Sequence, residues 1–156
     1  MKRLLRLFLR NLVLLCFVAA ANASQVALDE LHSYRSIWKS AGVSEYEYGY
    51  NKFCECHRER PPETLVTVSR SDVVNVRHKP VDSTREVHAE TRNFYLYWTI
   101  DDLFDLVESA LGRDAVVRVD YDSEFGFPRN IYIDYDANLI GDEVDVRITR
   151  FTAQSG

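Results

Sequence analysis

The chain has 156 residues, a formal net charge of −5, three cysteines and six glycines. That length suits one domain with one modest core, and the acidic balance gives no electrostatic reason to seek nucleic acid or an anionic membrane surface. The sequence holds no Gly-x-Ser-x-Gly elbow, no His-Glu-x-x-His helix and no phosphate-cradling glycine loop, so it names no catalytic residue and calls for no cofactor.

Residues 1–23 read as a signal peptide. Lys2, Arg3, Arg6 and Arg10 form a positive leader, Leu12 to Ala20 an apolar run, and Ala21-Asn22-Ala23 a small-x-small site that would release Ser24. The run is short for a membrane span. Leu15 stands before Cys16 where lipid attachment wants a small residue, so a membrane anchor is not expected. Removing four basic residues and no acidic one takes the charge from −5 to −9 and leaves 133 residues, 24–156, as a single domain. Cys54 and Cys56 remain, an even count that favours a bridge in an oxidising compartment.

From Leu28, the positions Leu28, Leu31, Tyr34, Trp38 and Ala41 recur with helical spacing, and Gly42 stands where the helix should end. Trp38 is expected in the core. Tyr46, Tyr48, Tyr50, Cys54 and Cys56 then share one parity, the mark of a strand. His57 to Pro62 reads as a charged turn. Thr64 to Ser69 and Val73 to His78 read as two more strands joined tightly through Arg70, Ser71 and Asp72. Lys79 to Arg92 loses all period and reads as a loop, and 93–98 as a short edge strand or a packed approach to the next helix.

Thr99 is the expected N-cap of a second helix, with Asp101 and Asp102 in its first turn and Ile100, Leu103, Phe104, Val107 and Leu111 along its stripe. Three alternating segments follow. Val117, Val119 and Tyr121, then Ile131, Ile133 and Tyr135, then Val144, Val146 and Ile148 fall on apolar parities, while Arg, Asp, Asn, Glu and Thr occupy most of the others. Gly126 and Pro128 punctuate the first turn. The pattern predicts an α+β fold of two helix-plus-three-strand units, 26–78 and 99–152, joined by a linker at 79–98. Both helices would pack on one face of antiparallel sheet.

Cys54-Glu55-Cys56-His57 is the one local motif with chemical reach. Residues two apart in a flat strand have α-carbons near the upper limit for a disulfide, so a Cys54–Cys56 bridge needs a bend at Glu55 and would be easily reduced. The pair therefore reads as a structural disulfide, a thiol-redox site, or part of a soft-metal site with His57 and His78 or His88. Asp120/Asp122 and Asp134/Asp136, near Asp142 and Asp145, read as a solvated, partly ion-paired sheet face rather than a calcium site. Phe127 and Tyr132 are candidate contact anchors on that face.

Trp38, Tyr46-x-Tyr48, Cys54-x-Cys56, Thr99-x-x-x-Leu103-Phe104, Tyr121-Asp122 and Gly126-x-Pro128, in this order, resemble a bacterial family of exported proteins and lipoproteins known only as a domain of unknown function. Ser71-Asp72 departs from the glycine-containing turn usual there. The Tyr-Asp…Gly-x-Pro hairpin also resembles modules of the PepSY and β-lactamase-inhibitor-like group, mostly periplasmic binding or inhibitory modules. Together these readings point to a non-enzymatic module, exported to a bacterial periplasm or cell surface, that binds a protein or small-molecule ligand through the wet sheet face, the Lys79 to Arg92 loop or both. The alternative is a thiol-redox or soft-metal-handling protein acting through Cys54 and Cys56.

Overall fold

The computed structural model describes residues 24–53, 63–79, 87–113 and 115–154. Residues 24–41 are helical (α1) and end at Gly42, whose φ is 64°. Strands β1 (Glu45–Phe53), β2 (Glu63–Ser69), β3 (Asp72–Lys79) and β4 (Val87–His88) follow. After the 3-10 helix Thr91–Leu96 come α2 (Ile100–Leu111), β5 (Val116–Tyr121), β6 (Pro128–Asp134) and β7 (Val144–Ala153). Among the described residues no helix is long and apolar enough to cross a membrane.

All seven strands belong to one antiparallel sheet in the order β4-β3-β2-β1-β7-β6-β5. The two separate helix-plus-three-strand units expected from the pattern do not form. The longest ladder among the described residues joins the first strand to the last, from Tyr46↔Ala153 to Phe53↔Asp145. A free-standing three-stranded unit would leave the backbone edges of β1 and β7 bare; pairing them satisfies both rows of donors and acceptors at once. Within the linker expected at 79–98, the part read as a loop contributes β4, on the far side of β3, and residues 91–96 form the 3-10 helix where a short edge strand or a packed approach to α2 was expected from residue 93.

The parities set the core. Tyr46, Tyr48, Val66, Val68, Val76, Ile131, Ile133, Val146 and Ile148 face the same side, where they meet Leu31 and Trp38 of α1 and Ile100, Leu103, Phe104 and Val107 of α2. Trp38 lies edge-on to Tyr46, Phe127 and Phe151 at centroid distances of 5.4, 6.4 and 5.9 Å, so it locks β1, β7 and the β5–β6 turn together. Alternation alone cannot bring both Ile148 and Phe151, three residues apart, to this face. A bulge does so: Gly49 pairs with Arg150 and Tyr50 with Ile148, leaving Thr149 as the extra residue.

The helices are fixed to each other as well as to the sheet. Arg35 of α1 donates to Glu108 (2.8 Å) and Asp105 (2.9 Å) of α2, with its guanidinium over the Phe104 ring. At the start of α2, Thr99 and Asp102 close a reciprocal capping box: the Asp102 N–H donates to the Thr99 hydroxyl (3.1 Å), and the Thr99 N–H to the Asp102 carboxylate (2.8 Å). The Tyr46 phenol accepts from the Ile100 N–H at 3.0 Å, and the Tyr48 phenol donates to the Trp98 carbonyl. The strand tyrosines thus reach through the core and fasten the N-terminus of α2 to β1. Burial pushes the pKa of both phenols upward, which keeps them protonated in this role.

Candidate binding face

On the side of the sheet away from the helices, the candidate face spans β5, β6, β7 and β1. Register places two rows across it. Arg118, Tyr132, Asp145 and Phe53 form one, and Asp120, Asn130, Arg147 and Asn51 the other. These residues occupy the parity opposite the apolar one, so the same alternation that fills the core assembles the face. Between the rows lies an open groove of about 290 Å³, walled by Arg118, Asp120, Asn130, Tyr132, Asp145 and Arg147.

Two guanidiniums of its walls rest on rings: Arg118 5.2 Å from the centroid of Tyr132, another wall residue, and Arg147 5.3 Å from that of Phe53, its neighbour on β1. Such stacking holds a cation in place while leaving its N–H groups free to donate. Arg147 also lies beside Asp145, at 3.3 Å, and the Asn130 amide donates to Asp120 at 3.1 Å. Buried Oδ1 atoms of Asn51 and Asp134 have no hydrogen-bond partner among the described residues. The surface therefore offers fixed donors, carboxylate acceptors and one aromatic platform within a shallow depression, with the Phe53 ring beside it, a set suited to holding a ligand of mixed charge.

Tyr132 lies where the pattern placed it, half-buried on this face. Phe127 does not. It is only 3 % exposed and packs against Trp38 and Phe151, the latter at 4.6 Å. The reason is the fold of the turn: Asp122 donates its N–H to the Phe127 carbonyl and accepts that of Gly126, curling the segment beneath α1. Phe125 and Phe127 on either side of a glycine were the available signal, since a turn with two large rings is too apolar to stand free in water.

The acidic residues divide by role. The Asp122 carboxylate accepts from the N–H groups of Glu124 and Phe125, and that of Asp136 from Asn138, so both shape turns. Cys54, Cys56 and His57, the disulfide, redox and metal candidates, lie outside the described residues. Of the two histidines considered beside them, His88 lies 3.3 Å from the Asn75 side-chain oxygen. His78 is held on both sides, Nδ1 3.2 Å from the Thr64 hydroxyl and Nε2 3.0 Å from that of Tyr97. Burial lowers the His78 pKa, and the neutral ring clasps the residue following the 3-10 helix to β2 and β3. Among the described residues no three His, Cys, Asp or Glu side chains gather as a metal site.

A comparison with curated proteins gave no match. A family profile matches residues 30–153, which covers α1 from Glu30 onward, all of α2 and every strand described above. The chain belongs to a family of unknown function, DUF6174.

Proposed function

We propose that the chain is a binding module whose ligand, a peptide segment of mixed charge on a partner protein, lies across the open face of β5, β6, β7 and β1. The observation that carries this reading is the pair of ring-stacked guanidiniums, Arg118 on Tyr132 and Arg147 on Phe53, set beside Asp120 and Asp145 in one groove. Stacked arginines capture carboxylates with little further ordering, and the aspartates accept amines, so an extended chain carrying both charges meets both partners. The likeness of the Tyr121-Asp122…Gly126-x-Pro128 hairpin to PepSY and β-lactamase-inhibitor-like modules supports the same reading. The basic-then-apolar leader supports a place outside the cytoplasm, in a bacterial periplasm or at the cell surface.

The test is a backbone-amide titration by NMR with a mixture of short peptides of mixed charge. Shifts should cluster on residues 116–120, 130–134 and 144–147, and Tyr132→Ala or Arg147→Ala should abolish them while the remaining spectrum is unchanged. Shifts centred on His78, or surviving both substitutions, would sink the proposal. Export is read separately: the intact mass of periplasmic material should correspond to a chain beginning at Ser24, and recovery of only the unprocessed chain in the cytoplasm counts against it.

A further inference from the structure

The two ends of the sheet are treated differently. One edge, β4, is two residues long, the usual way of blunting a free edge. The other, β5, runs for six residues as Val-Val-Arg-Val-Asp-Tyr with no proline, glycine or lysine, and among the described residues no strand covers its outer side. Its apolar residues are also incompletely buried. Val117, Val119 and Tyr121 are only partly buried on the core face where Ile131 and Ile133 of the next strand are 1 % and 0 % exposed, and Val116 is 46 % exposed. On the open face, Arg118 has no carboxylate partner among the described residues, and the Asp120 carboxylate has only the Asn130 amide.

We infer that β5 is the interface of a two-fold dimer in which it pairs antiparallel with the β5 of a second copy, centred on Val119. The strand's own sequence selects this partner. With Val119 opposite Val119 of the second copy, Arg118 falls opposite Asp120 and Asp120 opposite Arg118, while Val117 meets Tyr121 on the core face. Every pair within 117–121 is then favourable: two ion pairs on the open face, and apolar pairs completing the partly filled end of the core, while Val116 lies past the paired stretch. The interface is isologous, so the pairing closes at two copies and does not run on into a fibre. It joins the two seven-stranded sheets into one and sets their grooves side by side. The dimer draws on the Arg118 and Asp120 side chains that also line the groove, but sedimentation reads association without any peptide present, so the failure of one reading is distinguishable from the failure of the other.

Charge reversal tests the register and the partner together. Arg118→Asp makes both facing positions acidic, and Asp120→Arg makes both basic; either variant alone should raise the dimer dissociation constant roughly tenfold or more. Mixed in equal amounts, the two variants restore both ion pairs and should form a heterodimer as tight as the wild-type dimer. Sedimentation velocity reads the association, and far-UV circular dichroism checks that these exposed substitutions leave the fold intact. A wild-type protein monomeric up to millimolar concentration, a dimer indifferent to the single reversals, or single variants that fail to associate on mixing would each overturn the inference.

Discussion

Gly126 marks the closest approach of α1 to the sheet's connections. A β-carbon there would lie 2.6 Å from the Tyr34 carbonyl oxygen and 2.9 Å from Ile37 Cβ, and the backbone φ of 80° is itself one that other residues resist. Gly126→Ala should lower the unfolding free energy by about 2 kcal/mol or more, read from the urea midpoint; an unchanged midpoint would mean that α1 is not seated on this turn. His78 makes a second residue-scale prediction. Its pKa is lowered from 6.5 by burial, so below pH 6.5 the unfolded chain takes up a proton that the folded ring resists. The stability contribution is full above that pH and declines as the pH drops toward the folded pKa. His78→Gln should flatten the acid limb of a stability profile measured across this window.

At the scale of elements, the tightest connection is also a strained one. The β2–β3 hairpin turns in two residues, with Ser69 opposite Asp72, and both turn residues have positive φ, 50° at Arg70 and 73° at Ser71. Primed two-residue turns of this kind favour asparagine and glycine. Replacing Arg70-Ser71 with Asn-Gly should stabilise the protein by about 1 kcal/mol, seen as a Tm rise of about 3–5 °C. Helix α2 supplies the opposite sign. Thr99→Ala opens the capping box and should cost about 1 kcal/mol, a loss that chemical denaturation resolves. The α2 stripe, the α1 stripe up to Trp38, the Thr99 cap and the β2–β3 turn were legible, because each depends on residues within a few positions of one another, whereas Ala41 at the end of α1 is exposed. Less legible was the segment 79–98, where β4 is too short to show a period and exists only because β3 presents an edge to it.

For the molecule as a whole, the β1–β7 ladder makes the two halves one folding unit. Residues 24–98 alone would expose the β7-facing edge of β1, and Trp38 would lose Phe127 and Phe151. Expressed separately, residues 24–98 and 99–156 should each lack a cooperative thermal transition by circular dichroism, and mixing them should recover one. A cooperative melt from 24–98 alone would show instead that the halves are autonomous. The helix-to-helix contacts of Arg35 with Asp105 and Glu108 point the same way, although such half-exposed ion pairs contribute only about 1 kcal/mol or less each.

Outside 79–98, alternation and helical spacing by themselves determined where the strands and helices run and which side of each faces oil or water. Tyr46 and Tyr48, Ile131 and Ile133, and Leu103 and Val107 all lie where their period places them, because backbone geometry imposes those periods whatever the surroundings. The open face bearing Tyr132 was legible for the same reason. Which strands are neighbours was not, since a period of two is equally satisfied beside any partner. Tertiary structure decided that β1 joins β7, that a bulge at Thr149 turns Phe151 inward, and that Phe127 is packed beneath α1. Those outcomes depend on competition among strand edges and on filling one shared core, and both involve residues about a hundred positions apart in the chain.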